Sequence, residues 1–310
     1  MSIGLRHLIL SLALGWLPDS AVQAASVVVL SSESGAAYAE AAQALIGELE
    51  KRGLPRDEVL AITAAEWTGA VQWGAKLIVT LGVQASERVA QANVQSPVLC
   101  TLLPLVSFER LLRAQGRRSS PRFTALYLDQ PFARQLNLIR QALPKAKRVG
   151  VLWGPASAAQ APALKAQALS RGLSLVDASV DAQTSLFEAL KNVLQEVDLL
   201  LAVPDPQVYN SSTVQNILLA AFRSKTPVAA YSSTYARAGA LLSVYVTPTQ
   251  LGVQAAALAS AVLQGRELPA TPIHSQDFEV AVNEHVAHSF GLSLNARDLR
   301  ERLMQDERLP

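Results

Sequence analysis

Hydroxyl, amide and carboxylate side chains recur just after short apolar runs in this chain, a position suited to holding a small molecule. Ser31, Ser32 and Ser34 follow Val27–Leu30, and Gly82, Gln84 and Ser86 follow Leu77–Leu81. Trp153 closes the run Arg148–Trp153, and Ser157 lies four residues further on. Asp205 and Gln207 come after the most apolar run; Pro204 and Pro206 flank Asp205 and fix where its carboxylate points. Tyr231 and Ser232 open the stretch Tyr231-Ser232-Ser233-Thr234-Tyr235, which offers two rings and three hydroxyls. The chemistry on offer is non-covalent: hydroxyls for polar groups, a carboxylate for an amine or hydroxyl, rings for stacking. Helix capping is the rival use for the serines and Asp205, and core packing the rival for Trp153 and the tyrosines.

Catalytic and metal patterns do not emerge. There is no glycine-rich dinucleotide loop after a strand, no phosphate loop ending in Gly-Lys-Ser/Thr, and no Gly-x-Ser-x-Gly elbow. His274, His285 and His288 cluster late in the chain with no cysteine or acidic ligand set beside them, so no metal is called for. No enzyme activity and no cofactor is expected. Cys100 is the sole cysteine; it cannot close an internal disulfide and is expected to pack in a core strand. The net charge is +2, and the densest basic stretch, Arg110–Arg118, reads as a solvated loop, which argues against nucleic-acid binding.

The elements that must position these residues alternate regularly. Val27–Leu30, Val59–Ile62, Leu77–Leu81, Val98–Leu103 and Phe123–Leu128 read as strands, each followed by a polar or helical stretch. Arg148–Trp153, Leu173–Ala178, Leu199–Val203, Pro227–Tyr231 and Leu241–Val246 repeat the pattern, and Phe278–Val282 reads as a last strand. Such alternation indicates βαβ units, hence an α/β fold of two Rossmann-like lobes with parallel sheets. In open sheets of this kind ligands sit beyond the carboxyl ends of the strands, where the candidate residues lie. Thr184, Thr249, Asn283 and Asn295 are expected to cap helices, and Pro131 to open one. Half the chain is apolar and 17% charged, which is ample for two cores. Residues 1–24 read as an export signal: Arg6 and His7, an apolar core Leu8–Leu17, then Val22-Gln23-Ala24 at the cut. The mature protein is therefore expected in the periplasm and not embedded in a membrane.

From Val197 onward the residues carry a resemblance. Asp198-Leu-Leu-Leu-Ala-Val-Pro-Asp205, Thr226-Pro-Val-Ala-Ala-Tyr-Ser232, Ala238-Gly-Ala240, Leu251-Gly252, Leu263-Gln-Gly265 and Asn283…Ala287…Gly291 follow one order and spacing. The chain resembles the ABC-transporter substrate-binding proteins of the tryptophan/tyrosine-binding type. The resemblance implies a type I periplasmic-binding-protein fold: two lobes, hinge crossovers, and closure over a ligand. Residues 25–145 plus 272–310 are expected to form lobe 1 and residues 146–271 lobe 2. The expected partners are a small-molecule ligand and an ABC permease in the inner membrane, with the chain a monomer. The alternative is a non-transport interaction or sensor-input protein on the same fold. Departures fall in the cleft loops: Gly154-Pro155-Ala156-Ser157 stands where the family tends to carry Asn-Pro, and Val83 follows Gly82 where a Thr is usual.

Overall fold

The computed structural model describes residues 25–68, 74–92, 94–181 and 183–307; the expected export signal lies outside them. Two six-stranded sheets divide the chain. The first holds β1 (Val27–Ser31), β2 (Val59–Thr63), β3 (Leu77–Leu81), β4 (Val98–Thr101), β5 (Phe123–Tyr127) and β11 (Ile273–His274), in the order β11-β5-β4-β3-β1-β2. The second holds β6 (Arg148–Trp153), β7 (Ser174–Ser179), β8 (Leu199–Leu201), β9 (Val228–Ala230), β10 (Leu242–Tyr245) and β12 (Glu279–Val282), in the order β12-β10-β9-β8-β6-β7. Pairing is parallel throughout except β12, which runs antiparallel to β10. Val27–Leu30, Leu77–Leu81 and Leu199–Leu201 are buried along their length, as strands covered on both faces must be.

Helices α1 (Ala36–Lys51), α2 (Val83–Gln91), α3 (Leu105–Ala114) and α9 (Pro248–Leu263) flank the first sheet. Around the second are α4 (Phe132–Ala142), α5 (Ala161–Leu169), α6 (Leu186–Leu194), α7 (Val214–Arg223), α8 (Ser233–Ala238), α10 (Glu284–Ser289) and α11 (Ala296–Asp306). Among the described residues no helix is long and apolar enough to cross a membrane.

The chain passes between the sheets three times, after β5, after β10 and between β11 and β12, and this redraws the expected lobe limits. Helix α4 joins the second sheet, because Leu136, Ile139 and Ala142 pack with Val149 and Val151 of β6. Helix α9 returns to the first, with Leu251, Ala255 and Ala259 against Ala41, Leu45 and Leu49 of α1. Gly252 permits that approach: a Cβ there would lie 2.9 Å from the Cβ of Ala44. The tail does not complete lobe 1 as expected; Leu299 and Leu303 of α11 are buried in the second lobe's core. Thus β1–β5, α1, α9 and β11 belong to lobe 1, and α4, β6–β10, β12 and α11 to lobe 2. The apolar stripes of α4, α9 and α11 are legible in the sequence, but a stripe does not say which of two similar sheets it covers.

Smaller corrections have local causes. Much of the expected loop Arg110–Arg118 belongs to α3, where Val106, Phe108 and Leu111 are buried and Arg110 and Arg113 lie on the outer face. Ser185 rather than Thr184 caps α6. Thr247 rather than Thr249 caps α9, in a reciprocal box with Gln250. Asn283 and Asn295 cap as expected. The short β11 and α8 were not anticipated. Cys100 is fully buried, and burial pushes its thiol up to about 11.

Candidate functional site: a cleft at the hinge

Residues from both lobes and from two crossovers line an open cleft of about 610 Å³. Lobe 1 contributes Tyr38 from the first turn of α1, and Leu102 and Pro104 from the loop after β4. Lobe 2 contributes Pro204 and the stretch Tyr231–Thr234. Leu128 and Asp129 come from the first crossover, and Val246, Thr247 and Pro248 from the second. Tyrosine rings and prolines beside hydroxyls and the carboxylates of Glu40 and Asp129 suit a small solute with a flat apolar part and a polar group.

Asp129 is the carboxylate at this hinge. Its Oδ2 accepts from the Leu105 amide at the start of α3, and its carbonyl accepts from His274 Nδ1 at 3.0 Å. Burial pushes its carboxyl up to about 6, against the pull of the Leu105 amide. Burial also holds His274 below its ordinary range, so the ring stays neutral with its proton on the nitrogen facing the Asp129 carbonyl. The crossovers are tied behind the cleft by Arg134, which donates to Gln130 Oε1 (2.6 Å), the Ser275 carbonyl (3.0 Å) and Glu307 Oε2 (2.6 Å).

Tyr231 is held in place by two other tyrosines. Its hydroxyl donates to that of Tyr235 at 3.0 Å, their rings meet edge to face at 4.9 Å, and Tyr209 packs edge-on at 6.3 Å. Burial keeps the Tyr231 phenol protonated. Ser232 caps α8 by accepting from the Tyr235 amide, and it also lines the cleft.

Tyr231 and Ser232 are the two residues singled out from the sequence that line this cleft; the capping and packing roles hold most of the others. Asp205 is 2% exposed and accepts from the Ser157 amide (2.9 Å), the Ser157 hydroxyl (2.8 Å) and the Gln207 amide (2.9 Å). Ser157 is equally buried in that turn. Trp153 is a core residue whose Nε1 donates to Asp177 at 2.7 Å. Ser32 donates to the Leu81 carbonyl and accepts from the Ala85 amide, and Ser86 bonds Thr80 and the Gly82 carbonyl. Gly82 turns at φ +92°, and a Cβ there would lie 2.6 Å from both Ser32 Oγ and a Tyr38 ring carbon, so Tyr38 covers this turn. Ser31 is half-buried at the end of β1, while Ser34, Gln84 and Gln207 are exposed; none of them lines the cleft.

Sequence reasoning missed Tyr38 and Asp129. The strand-end rule applied to Phe123–Leu128 would have picked out Asp129. Tyr38 falls on the same helical spacing as Ala41 and Leu45, which made it read as core.

A family model described as ABC transporter substrate binding protein matches residues 25–302. The tyrosine-binding protein of Clostridioides difficile (strain R20291) is 22% identical over 238 residues, 74% of this chain and 67% of that protein. Among solved structures, the ligand-free, open form of a substrate-binding protein with adhesive properties from Clostridium difficile is similar at TM-score 0.70 and 19% identity. That match covers 88% of this chain and 96% of that one. An ABC domain in complex with L-Trp from Streptococcus pneumonia is similar at TM-score 0.62 and 20% identity, covering 89% and 97%.

Proposed function

The chain belongs to the ABC transporter substrate-binding protein family, and we propose that it captures a small aromatic solute bearing a positive group and delivers it to a permease. On this reading the protein is exported by the segment 1–24, works in the periplasm as a monomer, and meets an inner-membrane permease with its two lobes closed. The role is one of binding and release, with no catalytic residue.

The observation that carries the reading is the cleft itself. Its volume of about 610 Å³ suits a single small organic molecule, and lobe 1 and lobe 2 each place a tyrosine, Tyr38 and Tyr231, on its wall. Asp129 lies at the crossover that must bend when the lobes close, so a positive group seated on it couples binding to closure. The relatives named for tyrosine and solved with L-Trp support an aromatic solute. An open cleft of this kind favours solute capture over the partner-only alternative.

The test is thermal unfolding of the purified chain against a library of aromatic amines, amino acids, sugars and carboxylic acids. One aromatic, amine-bearing class should raise the midpoint, since a ligand at a hundredfold its Kd adds about 2.7 kcal/mol. A response confined to sugars or acids, or no response to any class, contradicts the proposal.

A further inference from the structure

The arginines of lobe 1 gather on one part of its surface. Residues 76–122 hold seven Lys or Arg against Glu87 and Glu109, while the whole chain carries a net charge of +2. Strands β3, β4 and β5 are parallel, so α2 and α3 run back from their carboxyl ends to their amino ends. Arg88 and Arg113 in the last turns of those helices, Arg117 and Arg118 after α3, and Arg122 before β5 therefore meet at the sheet's amino edge. The cleft residues Leu102, Pro104 and Leu128 lie at the opposite, carboxyl edge.

Arg117, Arg118 and Arg122 surround a surface pocket of about 320 Å³ with no carboxylate in its described wall. Two are anchored without being neutralised: Arg117 lies over the Phe123 ring at 5.4 Å, and Arg122 donates to the Gln95 carbonyl. Among the described residues these three and Arg88 form no ion pair. Arg110 and Arg113 are exposed and meet Glu87 and Glu109 at 4.0 and 3.7 Å. The rest of the same edge is balanced, with Lys51 and Arg52 on Glu48 and Arg56 near Glu50 at 3.8 Å. Helix polarity accounts for cations in a last turn, such as Arg88 and Arg113, but not for the three around the pocket, which lie beyond the helix.

We propose that this pole of lobe 1 docks on a membrane surface of anionic phospholipid, a headgroup phosphate seating among Arg117, Arg118 and Arg122. Guanidinium groups match phosphate oxygens geometrically, and a group of about four to eight cations is what an anionic lipid surface attracts. The cations continue past the pocket to Arg88 and Arg113, as an extended surface requires and a single free anion does not. Phe123, the aromatic residue of the described pocket wall, is buried beneath Arg117, so its ring is not free to stack a nucleic-acid base. Ser26 leads into β1 at this same edge, so the proposed export by residues 1–24 leaves the pole beside the membrane just crossed. The docking is independent of the solute reading, because pole and cleft lie at opposite edges of the sheet.

Co-sedimentation of the mature chain with vesicles of phosphatidylcholine alone, or of equal parts phosphatidylcholine and phosphatidylglycerol, tests this. Binding should require phosphatidylglycerol and be lost at about 1 M salt, where charges act over only about 3 Å. The triple variant R117Q/R118Q/R122Q, checked for an unchanged far-ultraviolet spectrum, should lower partitioning at least about twentyfold. Arg118→Glu alters one exposed, unpaired side chain, so folding is not at stake, and should lower it at least about fivefold. The matched control K51Q/R52Q/R56Q removes as many cations from the balanced half and should cost less than about threefold. Failure to bind anionic vesicles, equal binding to neutral ones, or equal losses in the two triple variants overturns the inference. So does saturable binding of inorganic phosphate by a chain that ignores vesicles.

Discussion

The carboxylate of Asp205 lies in the space that a side chain at Gly154 would fill: a Cβ built there would overlap Cγ and both oxygens of Asp205. Gly154 follows β6 and Asp205 follows β8, so the absent side chain of one loop is the room in which the other loop folds. This explains why glycine stands where the resemblance led one to look for asparagine. It also explains why Asp205 is a structural residue, bound by Ser157 and Gln207, although its position after an apolar strand suggested a ligand contact.

Two substitutions follow from that pair. Gly154→Ala should cost about 1–3 kcal/mol by overpacking, and Asp205→Ala about 3 kcal/mol by leaving the Ser157 and Gln207 donors unpaired. The double variant should be less destabilised than the sum, because removing the carboxylate makes the room the alanine needs. Urea unfolding of the four chains measures this; strictly additive losses would contradict the shared-space account. Solute affinity should survive in each variant that remains folded.

Tyr231→Ala should weaken solute binding at least about tenfold, since a half-buried ring typically supplies one to a few kcal/mol of contact. Tyr231→Phe should bind nearly as well, because the hydroxyl is turned to Tyr235 rather than to the cleft. Equal losses in both variants, read by calorimetry, would mean the hydroxyl and not the ring holds the solute.

Asp129 should give the fold a pH dependence of unusual sign. Its carboxyl is raised to about 6 in the folded chain, against about 4 in an unfolded one. Between those values the native state binds more protons, so the contribution of Asp129 to stability rises as pH falls from 7 towards 4. The groups around it are the Tyr127 and Tyr231 phenols, which burial keeps protonated in this range, and the His274 ring, whose charging burial disfavours. Unfolding free energies of the wild type and Asp129→Asn should therefore converge or cross in favour of the wild type on acidification. A difference that is flat with pH contradicts this. Solute affinity should move the other way, falling below pH 6 as the carboxylate is lost.

Gly252→Val should destabilise lobe 1 by about 2 kcal/mol or more, because the added carbons meet the α1 backbone at the α1–α9 crossing. An unchanged midpoint would show that the two helices can part at little cost.

The alternation of strand and helix was plain in the sequence because buried strands such as Val27–Leu30 and Leu199–Leu201 are unbroken apolar runs. The site was harder to read, for physical reasons. Strand-end position marks Asp205 and Asp129 alike; only three-dimensional packing shows that Ser157 and Gln207 satisfy one while the other faces a cavity. Tyr38 obeys helical spacing, but in the first turn of α1 its ring packs at the margin of the core, over the Gly82 turn and along the cleft. Crossover positions were misplaced because α4, α9 and α11 carry ordinary apolar stripes, and what assigns them to a lobe is the shape of the partner sheet.

The most direct measurement is mass spectrometry of whatever the chain, purified from the cells that make it, releases on denaturation. One aromatic, positively charged solute should appear in near-equal amount to the protein from the wild type and be lost from Tyr231→Ala. A chain that releases nothing, whose cleft also leaves the melting point unmoved by any added solute, would contradict the capture of a small molecule between the lobes.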